Sequence, residues 1–266
     1  MNITLKQMQS LELEIALEVN RICIKHGLKL FLEGGTFLGA IRHKGFIPWD
    51  DDMDFGLIWD DYTTLLRVIE KELDSRFYIM EWSKNRNYPH PYIKVCLKDT
   101  LVKEKEMFVG DSNQGIWIDV FPYIPVNSGF FWGFKELEGK IYSRIYAVQC
   151  GYFSSSKLIT LLSKLFSKKF ISRRYRRYIE KLPCQNSNKC VVLDDYIQKR
   201  YLIDTEVITN LIPYRFEEKQ FWGVDNFNEY LEKYYGDYMS LPPENERLGH
   251  DLLECVIKKD YKEYFR

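Results

Sequence analysis

The fold is decided by residues 33–54, which read EGGTFLGAIRHKGFIPWDDDMD. Near its start stands the glycine pair Gly34-Gly35, which follows a predicted short buried strand over 28–32 and precedes a predicted short helix over 36–42. It ends on a cluster of aspartates, and residues 53–58 are predicted to form a strand. The stretch thus predicts two strands of a small mixed sheet, joined through a glycine turn, a helix and an irregular loop.

The acidic end of this stretch has the spacing of a metal site. On a strand, residues two apart point to the same face, so the carboxylates of Asp52 and Asp54 can converge on one cation. Two such carboxylates raise each other's pKa unless a cation lies between them, and hard oxygen ligands suit Mg²⁺. Asp119, flanked by Ile118 and Val120 in a predicted strand, fits a third ligand, because an acid in an apolar run needs a partner. We predict two Mg²⁺ ions here, with Mn²⁺ as the alternative, and in-line displacement at phosphorus as the chemistry.

An isolated acidic cluster more often marks a solvated loop, and an isolated Gly-Gly pair more often marks an ordinary turn. Here the two features stand close together, and a predicted strand precedes the turn. The backbone N–H groups of Gly34 and Gly35 can then approach phosphate oxygens at the start of a helix. Taken together, these features favour a phosphate and metal site over a solvated loop.

The rest of the chain predicts an α+β protein. Thr4 can cap a helix that runs to about His26 and stops at Gly27, with apolar residues recurring at three- and four-residue steps. Further strands are predicted over 78–82, 92–98 and 116–121, and further helices over 61–73, 130–150, 157–181 and 226–235. This pattern predicts a mixed β-sheet with flanking helices and a helical second half. We divide the chain into a catalytic core over 1–125 and a mostly helical region over 126–266 that completes the site as one integrated unit.

Charge and composition exclude some functions. The 38 basic and 38 acidic residues cancel, whereas a general nucleic-acid binder would show a strong basic excess. Charged residues interrupt the apolar stretch that a secretory signal would need, and no run reaches the roughly 18 apolar residues of a spanning helix. The six cysteines are scattered without the spacing of a disulfide framework. We therefore expect a soluble, cytoplasmic protein.

One region departs from the overall charge balance. Residues 157–181 carry nine cations against the single acid Glu180, interleaved with leucine and phenylalanine. A basic amphipathic helix of this kind can lie in an anionic membrane surface. The sequence therefore allows a peripheral contact through 157–182 with the inner face of the cell membrane. The alternative is a helix that packs its apolar side on the catalytic core and leaves its cations in water.

Three blocks of the sequence resemble the LicD family, which also includes the fukutin-type sugar phosphotransferases. The first is residues 33–54, the second is GIWIDVFP over 115–122, and the third is YYGDYMSLPP over 234–243 with Arg247 and His250. The resemblance implies a nucleotidyltransferase fold. It also implies transfer of a phospho-alcohol, typically phosphocholine, from a CDP-activated donor to a hydroxyl of a surface glycan or its lipid-linked precursor, with release of CMP. Lipopolysaccharide, teichoic acid and capsule are the glycans of this kind.

By position in these blocks, the resemblance implies roles for single residues. Asp52, Asp54 and Asp119 would be the metal ligands, and Gly34, Gly35 and Thr36 would cradle the donor phosphates. Arg42 would neutralise phosphate charge, and Asp50 and Asp51 would act either in support of the metal ligands or as a base. His43, Arg247 and His250 would contact the donor or the acceptor.

Aromatic residues near the predicted site could select the alcohol. A choline head group is a quaternary ammonium, which aromatic faces bind by cation–π attraction. Trp49, Trp117 and Trp82 flank the predicted site strands, although each of them singly also fits a core position. Glycerol or ribitol would need polar contacts instead. His90 is predicted to lie at the surface of a loop.

Three other functions fit the same residues. The run Asp52-Met53-Asp54 is also the DxD metal motif of many glycosyltransferases, which place a larger nucleotide-binding region before the motif than the one helix and one strand predicted here. A nucleotidyltransferase that uses an NTP would need the same metal ligands. A non-catalytic scaffold for glycan assembly is disfavoured, because all three expected carboxylates are present.

Overall fold

The computed structural model describes residues 3–85, 87–104, 114–129, 131–184, 187–247, 249 and 252–257. Within them, a nine-stranded mixed sheet is accompanied by eight helices, which confirms the predicted α+β class. The helices are α1 (Leu5–Lys25), α2 (Gly34–Arg42), α3 (Trp59–Glu72), α4 (Trp132–Gln149), α5 (Lys157–Leu165), α6 (Lys168–Glu180), α7 (Thr205–Thr209) and α8 (Phe227–Tyr235). The strands are β1 (Phe31–Leu32), β2 (Asp54–Ile58), β3 (Phe77–Met80), β4 (Ile93–Leu97), β5 (Thr100–Glu104), β6 (Trp117–Pro125), β7 (Lys189–Val192), β8 (Ile203–Asp204), β9 (Leu211–Phe216), β10 (Lys219–Val224) and β11 (Leu252–Ile257).

Helix α1 forms as its sequence predicts. The Thr4 hydroxyl accepts a hydrogen bond from the Gln7 N–H, and the Gln7 side chain accepts one from the Thr4 N–H, which satisfies two free donors at the helix start. The chain leaves the helix where Gly27 takes a φ of 67°. The apolar stripe of α1 is buried and packs against α3, β4 and β6.

The centre of the sheet positions the acidic residues. The strand order is β3-β4-β6-β2-β1-β10-β9, and β7 and β8 extend the sheet beside β6. Strands β2 and β6 run parallel, whereas β4 pairs antiparallel with β6. Their apolar residues, among them Phe55, Leu57, Ile118 and Val120, are completely buried. The register of β2 with β6 sets Asp54 opposite Asp119.

Beyond residue 126 the chain combines helices and strands. Helix α4 packs against α5 and α6 around a separate small core that includes Trp132, Ile145 and Tyr175. The chain then returns to the main sheet, where β7 pairs with β6, and β10 pairs in parallel with β1. These strands were not predicted from the sequence, which indicated a mostly helical region here. Strands from both sides of the predicted boundary at residue 126 therefore belong to one sheet.

The predicted helix over 157–181 is two helices in the structure. Helix α5 ends at Leu165, and Phe166 takes an extended conformation. The Ser167 hydroxyl then accepts a hydrogen bond from the Phe170 N–H and caps α6. The apolar and basic residues recur with helical spacing across the break, so the sequence predicted one continuous helix and not the second cap at Ser167. None of the helices in the described ranges is long and apolar enough to cross a membrane.

Candidate active site

Asp119 lies at the centre of the site, in a setting that fits a metal ligand. The register of β4 with β6 places Lys94 beside it. The Asp119 Oδ2 atom accepts hydrogen bonds from Lys94 Nζ at 2.8 Å and from Trp117 Nε1 at 3.2 Å. The Oδ1 atom is buried and has no hydrogen-bond partner within the described part of the chain. Because a buried carboxylate oxygen without a partner is costly, this atom fits a Mg²⁺ ligand.

Three consecutive carboxylates precede β2. One oxygen from each of Asp50, Asp51 and Asp52 lies within 4.8 Å of the others, which makes them the group of three with metal-ligand spacing among the described residues. Pairing with the neighbouring strands starts only at the Met53 and Asp54 carbonyls, which accept the first bonds from β6 and from Glu33. Asp52 therefore lies just before the strand, not on it as predicted.

Two cavities flank these carboxylates. The larger, of 620 Å³, holds Asp52 and Asp119 and is also lined by His90, Tyr92, Lys94, Trp117, Arg144, Ala147, Val148 and residues 152–156. The smaller, of 210 Å³, holds Asp54 and is also lined by Glu33, Gly34, Gly35, Phe121, Val192, Asp194, Tyr201, Tyr234 and Tyr235. The cavities are neighbours, because the rings of Tyr92 and Phe121, one from each lining, have centroids 4.4 Å apart. The predicted ligand set of Asp52, Asp54 and Asp119 spans both cavities and stays a prediction.

The Gly34-Gly35 turn lies directly against the acidic residues. Gly34 has a φ of 53°, which other residues adopt only with strain. A Cβ on Gly34 would lie 3.6 Å from Asp54 Oδ2, and a Cβ on Gly35 would lie 3.2 Å from Asp50 Oδ2. The same turn begins α2, whose N-terminal dipole favours an anion. The structure thus places a helix start that suits phosphate beside carboxylates that suit a metal.

Several residues predicted to bind substrate hold the fold together. The Thr36 hydroxyl accepts a hydrogen bond from the Asp54 N–H at 2.8 Å and so ties α2 to β2. Arg42 donates from Nη1 to the carbonyl of Tyr238 at 2.9 Å and from Nε to the His43 ring at 3.0 Å. Neither Arg42 nor His43 is among the residues that line the two cavities. Their predicted contact with substrate stays a prediction, and His250 lies outside the described residues.

The three candidate tryptophans each have a cation of this chain over the ring. Arg247 lies 5.3 Å from the ring centroid of Trp49, Lys94 lies 4.4 Å from that of Trp117, and Arg176 lies 5.3 Å from that of Trp82. Trp117 is also buried and donates to Asp119. These rings already make the cation–π contact that a choline head group would need.

Burial and mutual repulsion raise the pKa of several carboxyls at the site. Burial raises the pKa of Asp54 well above its ordinary value, and the nearby charge of Asp52 raises it further. Burial raises the pKa of Glu33 to about 7, although the hydrogen bonds from two tyrosines oppose this. Burial, followed by the charge of Asp195, raises the pKa of Asp194 to about 7. Since so many acids share one region, the site is suited to a bound cation.

Several residues of the site were not predicted from the sequence. Asp194 lines the smaller cavity, and Asp195 pairs with His90 at 2.7 Å. The prediction that His90 lies at a loop surface is wrong, because its side chain is only 13% exposed and lines the larger cavity. His90, Tyr92 and Lys94 are spaced two residues apart along the segment that enters β4. This spacing could have predicted that their side chains share one face. The sequence around Asp194-Asp195 is equally typical of a solvated acidic pair, so their place at the site could not be predicted.

Glu12 is a further acid that the sequence analysis left out. It lies on α1 and is completely buried, and neither carboxylate oxygen has a hydrogen-bond partner among the described residues. Burial raises the pKa of Glu12 well above its ordinary value, and the charges of Asp52, Asp51 and Asp50 add to this. The position of Glu12 within the apolar stripe of α1 could have predicted that this acid is buried. Helix α1 therefore adds a carboxyl close to the acidic loop.

Comparison with known proteins finds one matching family and several similar proteins. Residues 27–144 match the family described as LicD/FKTN/FKRP, nucleotidyltransferase domain. The chain is 29% identical over 269 residues to the lipopolysaccharide cholinephosphotransferase LicD of Haemophilus influenzae, covering 96% of this chain and 98% of that protein. It is 32% identical over 101 residues to the ribitol 5-phosphate transferase FKRP of Mus musculus, covering 30% of this chain and 20% of that protein. It is also 32% identical over 93 residues to the uncharacterized protein RP689 of Rickettsia prowazekii, covering 35% of this chain and 34% of that protein.

Proposed function

This chain belongs to the LicD family of transferases, and we propose that it transfers a phospho-alcohol from a CDP-activated donor to a hydroxyl of a surface glycan or its lipid-linked precursor, releasing CMP. The observation that carries the proposal is the similarity to the Haemophilus influenzae cholinephosphotransferase along almost the whole of both chains. That similarity includes the α4–α6 region, which the sequence motifs alone left uncovered; within it, α4 and the segment before α5 line the larger cavity. A lipopolysaccharide-type glycan is accordingly the favoured acceptor.

The residues at the two cavities support distinct roles in this transfer. Asp52, Asp54 and Asp119 would hold Mg²⁺, with Mn²⁺ as the alternative. Bound metal would neutralise phosphate charge and assist departure of the leaving oxygen. The start of α2 at Gly34-Gly35 would receive the donor phosphates. Phosphoryl transfer needs mainly positioning and charge neutralisation, and these residues supply both.

Phosphocholine is the favoured phospho-alcohol, and ribitol phosphate is the second candidate. The first rests on the similarity to the cholinephosphotransferase, which spans 96% of this chain. The second rests on the shorter similarity to the ribitol 5-phosphate transferase. The tryptophans also support ribitol phosphate. Cations of the chain lie over the rings of Trp49, Trp82 and Trp117, so these rings do not form an open cage for choline.

A peripheral contact with an anionic membrane is part of the same proposal. Leu158, Leu161 and Leu165 recur on one face of α5 and are 55–66% exposed, next to the exposed cations Lys157 and Lys164. A helix that only packed on the catalytic core would bury such a face, whereas α5 buries only Ile159. The residues just before α5 line the larger cavity. A lipid-linked acceptor held at the membrane would therefore lie close to that cavity.

The test is a screen for CMP release with CDP-choline, CDP-ribitol and CDP-glycerol, each with and without Mg²⁺. Methyl hexopyranosides serve as soluble acceptors with free hydroxyls. We expect Mg²⁺-dependent CMP release that is fastest with CDP-choline. Turnover of a UDP- or GDP-sugar would support a glycosyltransferase instead, and pyrophosphate release from an NTP would support an NTP-dependent enzyme. Absence of CMP release with all three CDP-alcohols would reject the proposal.

A further inference from the structure

His90 is held in the larger cavity by contacts on both ring nitrogens. Its Nδ1 atom lies 2.7 Å from Asp195 Oδ1, and its Nε2 atom lies 3.2 Å from the Tyr152 hydroxyl. The rings of Tyr88 and Tyr92 pack against the imidazole, with centroids 5.2 Å and 5.1 Å away. The imidazole is thus fixed in place by aromatic packing and by two polar contacts.

The carboxylate partner fixes the tautomer of His90. A carboxylate only accepts, so Nδ1–H donates to Asp195, and the Nε2 lone pair receives the hydrogen bond of the Tyr152 hydroxyl. Burial raises the pKa of Asp195, but the charge and hydrogen bond of His90 and the charges of Lys94 and Arg144 lower it more, so the net pKa lies below its ordinary value. Asp195 is therefore an anion that can stabilise a protonated imidazole.

The cavity that contains this pair also contains the central carboxylate of the site. His90, Tyr92 and Lys94 alternate along the chain, and Lys94 binds Asp119 at 2.8 Å. His90 and Asp119 therefore line the same cavity, where Tyr92 packs on His90 and Lys94 binds Asp119. The Gly34-Gly35 turn lines the other cavity, together with Asp54. This separation suits a donor phosphate on one side and an attacking hydroxyl on the other.

We propose that the larger cavity receives the acceptor hydroxyl and that His90, oriented by Asp195, is the base that takes its proton; this inference rests on the proposed phospho-alcohol transfer. As the acceptor oxygen forms its bond to the phosphorus that carries the alcohol, its proton moves to His90 Nε2, where the acceptor hydroxyl takes the place of the Tyr152 hydroxyl. The bond between that phosphorus and the oxygen bridging to CMP breaks, and CMP leaves with the electron pair. The imidazolium is paired with Asp195 and then releases its proton to water. The products are the phospho-alcohol ester of the acceptor, CMP and one proton.

The groups around His90 set the expected pH dependence. Asp195 and Asp194 follow β7, Tyr152 lies between α4 and α5, and Tyr88 and Tyr92 precede β4. Only the neutral imidazole can accept a proton, so kcat should rise with pH as the ring loses its proton. Replacing Asp195 by Asn removes the anion that stabilises the imidazolium. The rise in kcat should then move to lower pH.

The experiment compares His90→Ala with His26→Ala in the CMP-release assay with CDP-choline and methyl hexopyranosides. His26 is a matched control, because it also pairs with a carboxylate, Glu72, at 2.7 Å but lies at the end of α1 and lines neither cavity. We expect His90→Ala to lower kcat by about 10²–10⁴-fold with the KM for CDP-choline unchanged, and added imidazole to restore part of kcat. His26→Ala should match the wild type. Should His90→Ala fail to fold by circular dichroism, the pH profile of Asp195→Asn decides the question.

The outcomes separate this inference from the proposed function. A wild type that is active, together with a folded His90→Ala variant that keeps its kcat and its pH profile, would overturn the role of His90 alone. A loss of activity that imidazole does not rescue, with the pH profile of Asp195→Asn unchanged, would assign His90 a structural role and also overturn the inference. A wild type that releases no CMP from any CDP-alcohol rejects the proposed function, and the role of His90 falls with it.

Discussion

Asp54 and Asp119 stand directly opposite each other in the register of two parallel strands, although they lie far apart in the sequence. Parallel strands point equivalent positions the same way, so the pairing of β2 with β6 joins the acidic loop to the buried Asp119. The cost of this arrangement is electrostatic. The charges of Asp52 and Asp119 add to the effect of burial on the pKa of Asp54.

Replacing Asp54 by Asn should remove activity and leave the fold intact. The change removes a predicted metal ligand, and we expect CMP release to fall by about a thousandfold or more. In EDTA the Tm should be unchanged or higher, because one of several repelling carboxylates is gone. Asp60→Asn, an exposed residue at the start of α3, is the control and should keep wild-type turnover. Near-normal turnover of a folded Asp54→Asn variant would show that the ligand assignment is wrong.

Replacing Lys94 by Met should destabilise the protein strongly. Lys94 and Asp119 form an ion pair with side-chain exposures of only 4% and 8%, so the substitution leaves Asp119 buried without its cation. Breaking such a pair costs about 3–5 kcal/mol in the free energy of unfolding, to be measured by urea denaturation in EDTA. Lys98→Met, on the exposed end of the same strand region, should change this free energy by less than about 0.5 kcal/mol. Equal stability of the two variants would contradict the importance of the pair.

The metal-free protein should lose stability as the pH rises from about 5 to 8. Burial raises the pKa of Glu33 from 4.5 to about 7 and that of Asp194 from 3.8 to about 7. A carboxyl whose pKa is raised in the folded state stabilises the fold below its ordinary pKa, and this contribution disappears as the pH rises through the folded value. Urea denaturation in EDTA measures the effect, and Glu33→Gln should flatten the pH dependence. A stability that increases steadily over this range would contradict the assignment.

The sequence predicted the parts of the fold that depend on neighbouring residues. The Thr4 cap, the stop at Gly27 and the glycine turn that begins α2 each follow from local chemistry. Asp119 could also be predicted, because an acid within an apolar strand must face a partner. These features need no knowledge of distant contacts.

The remaining parts of the site depend on how distant strands pair. The contact of Lys94 with Asp119 follows from the register of β4 with β6, and register is set by tertiary packing. The position of Asp52 before the strand follows from where pairing with β6 begins. The placement of β10 beside β1 is likewise a long-range pairing. Local periodicity carries no information on any of these contacts.

Gly39 lies on α2 and faces the loop that joins α2 to β2, and the space between them should not accommodate a side chain at this position. A Cβ there would lie 2.5 Å from the Gly45 carbonyl oxygen and 3.4 Å from the Ile47 nitrogen, and both are backbone atoms that cannot rotate away. We expect Gly39→Ala to lower the free energy of unfolding by about 1–3 kcal/mol. Gly133→Ala is the matched control, because Gly133 is exposed near the start of α4 with no atom within 4 Å of an added Cβ, and the substitution should raise this free energy by about 0.5–1 kcal/mol. If both variants are stabilised, the close approach of α2 to the loop is incorrect.

Flotation with vesicles should show that α5 binds an anionic membrane. Leu161 and Leu165 are 55% and 66% exposed, and each neighbouring cation near the surface adds about 1 kcal/mol of attraction. We expect the wild type to float with vesicles that contain anionic lipid and to be released by high salt. The double substitution Leu161→Glu and Leu165→Glu should abolish flotation. Ile24→Glu, at an equally exposed position on α1, should not. The substituted residues line neither cavity, so turnover of soluble acceptors should be unchanged. A variant that loses flotation but keeps this turnover would identify α5 as the membrane-binding element.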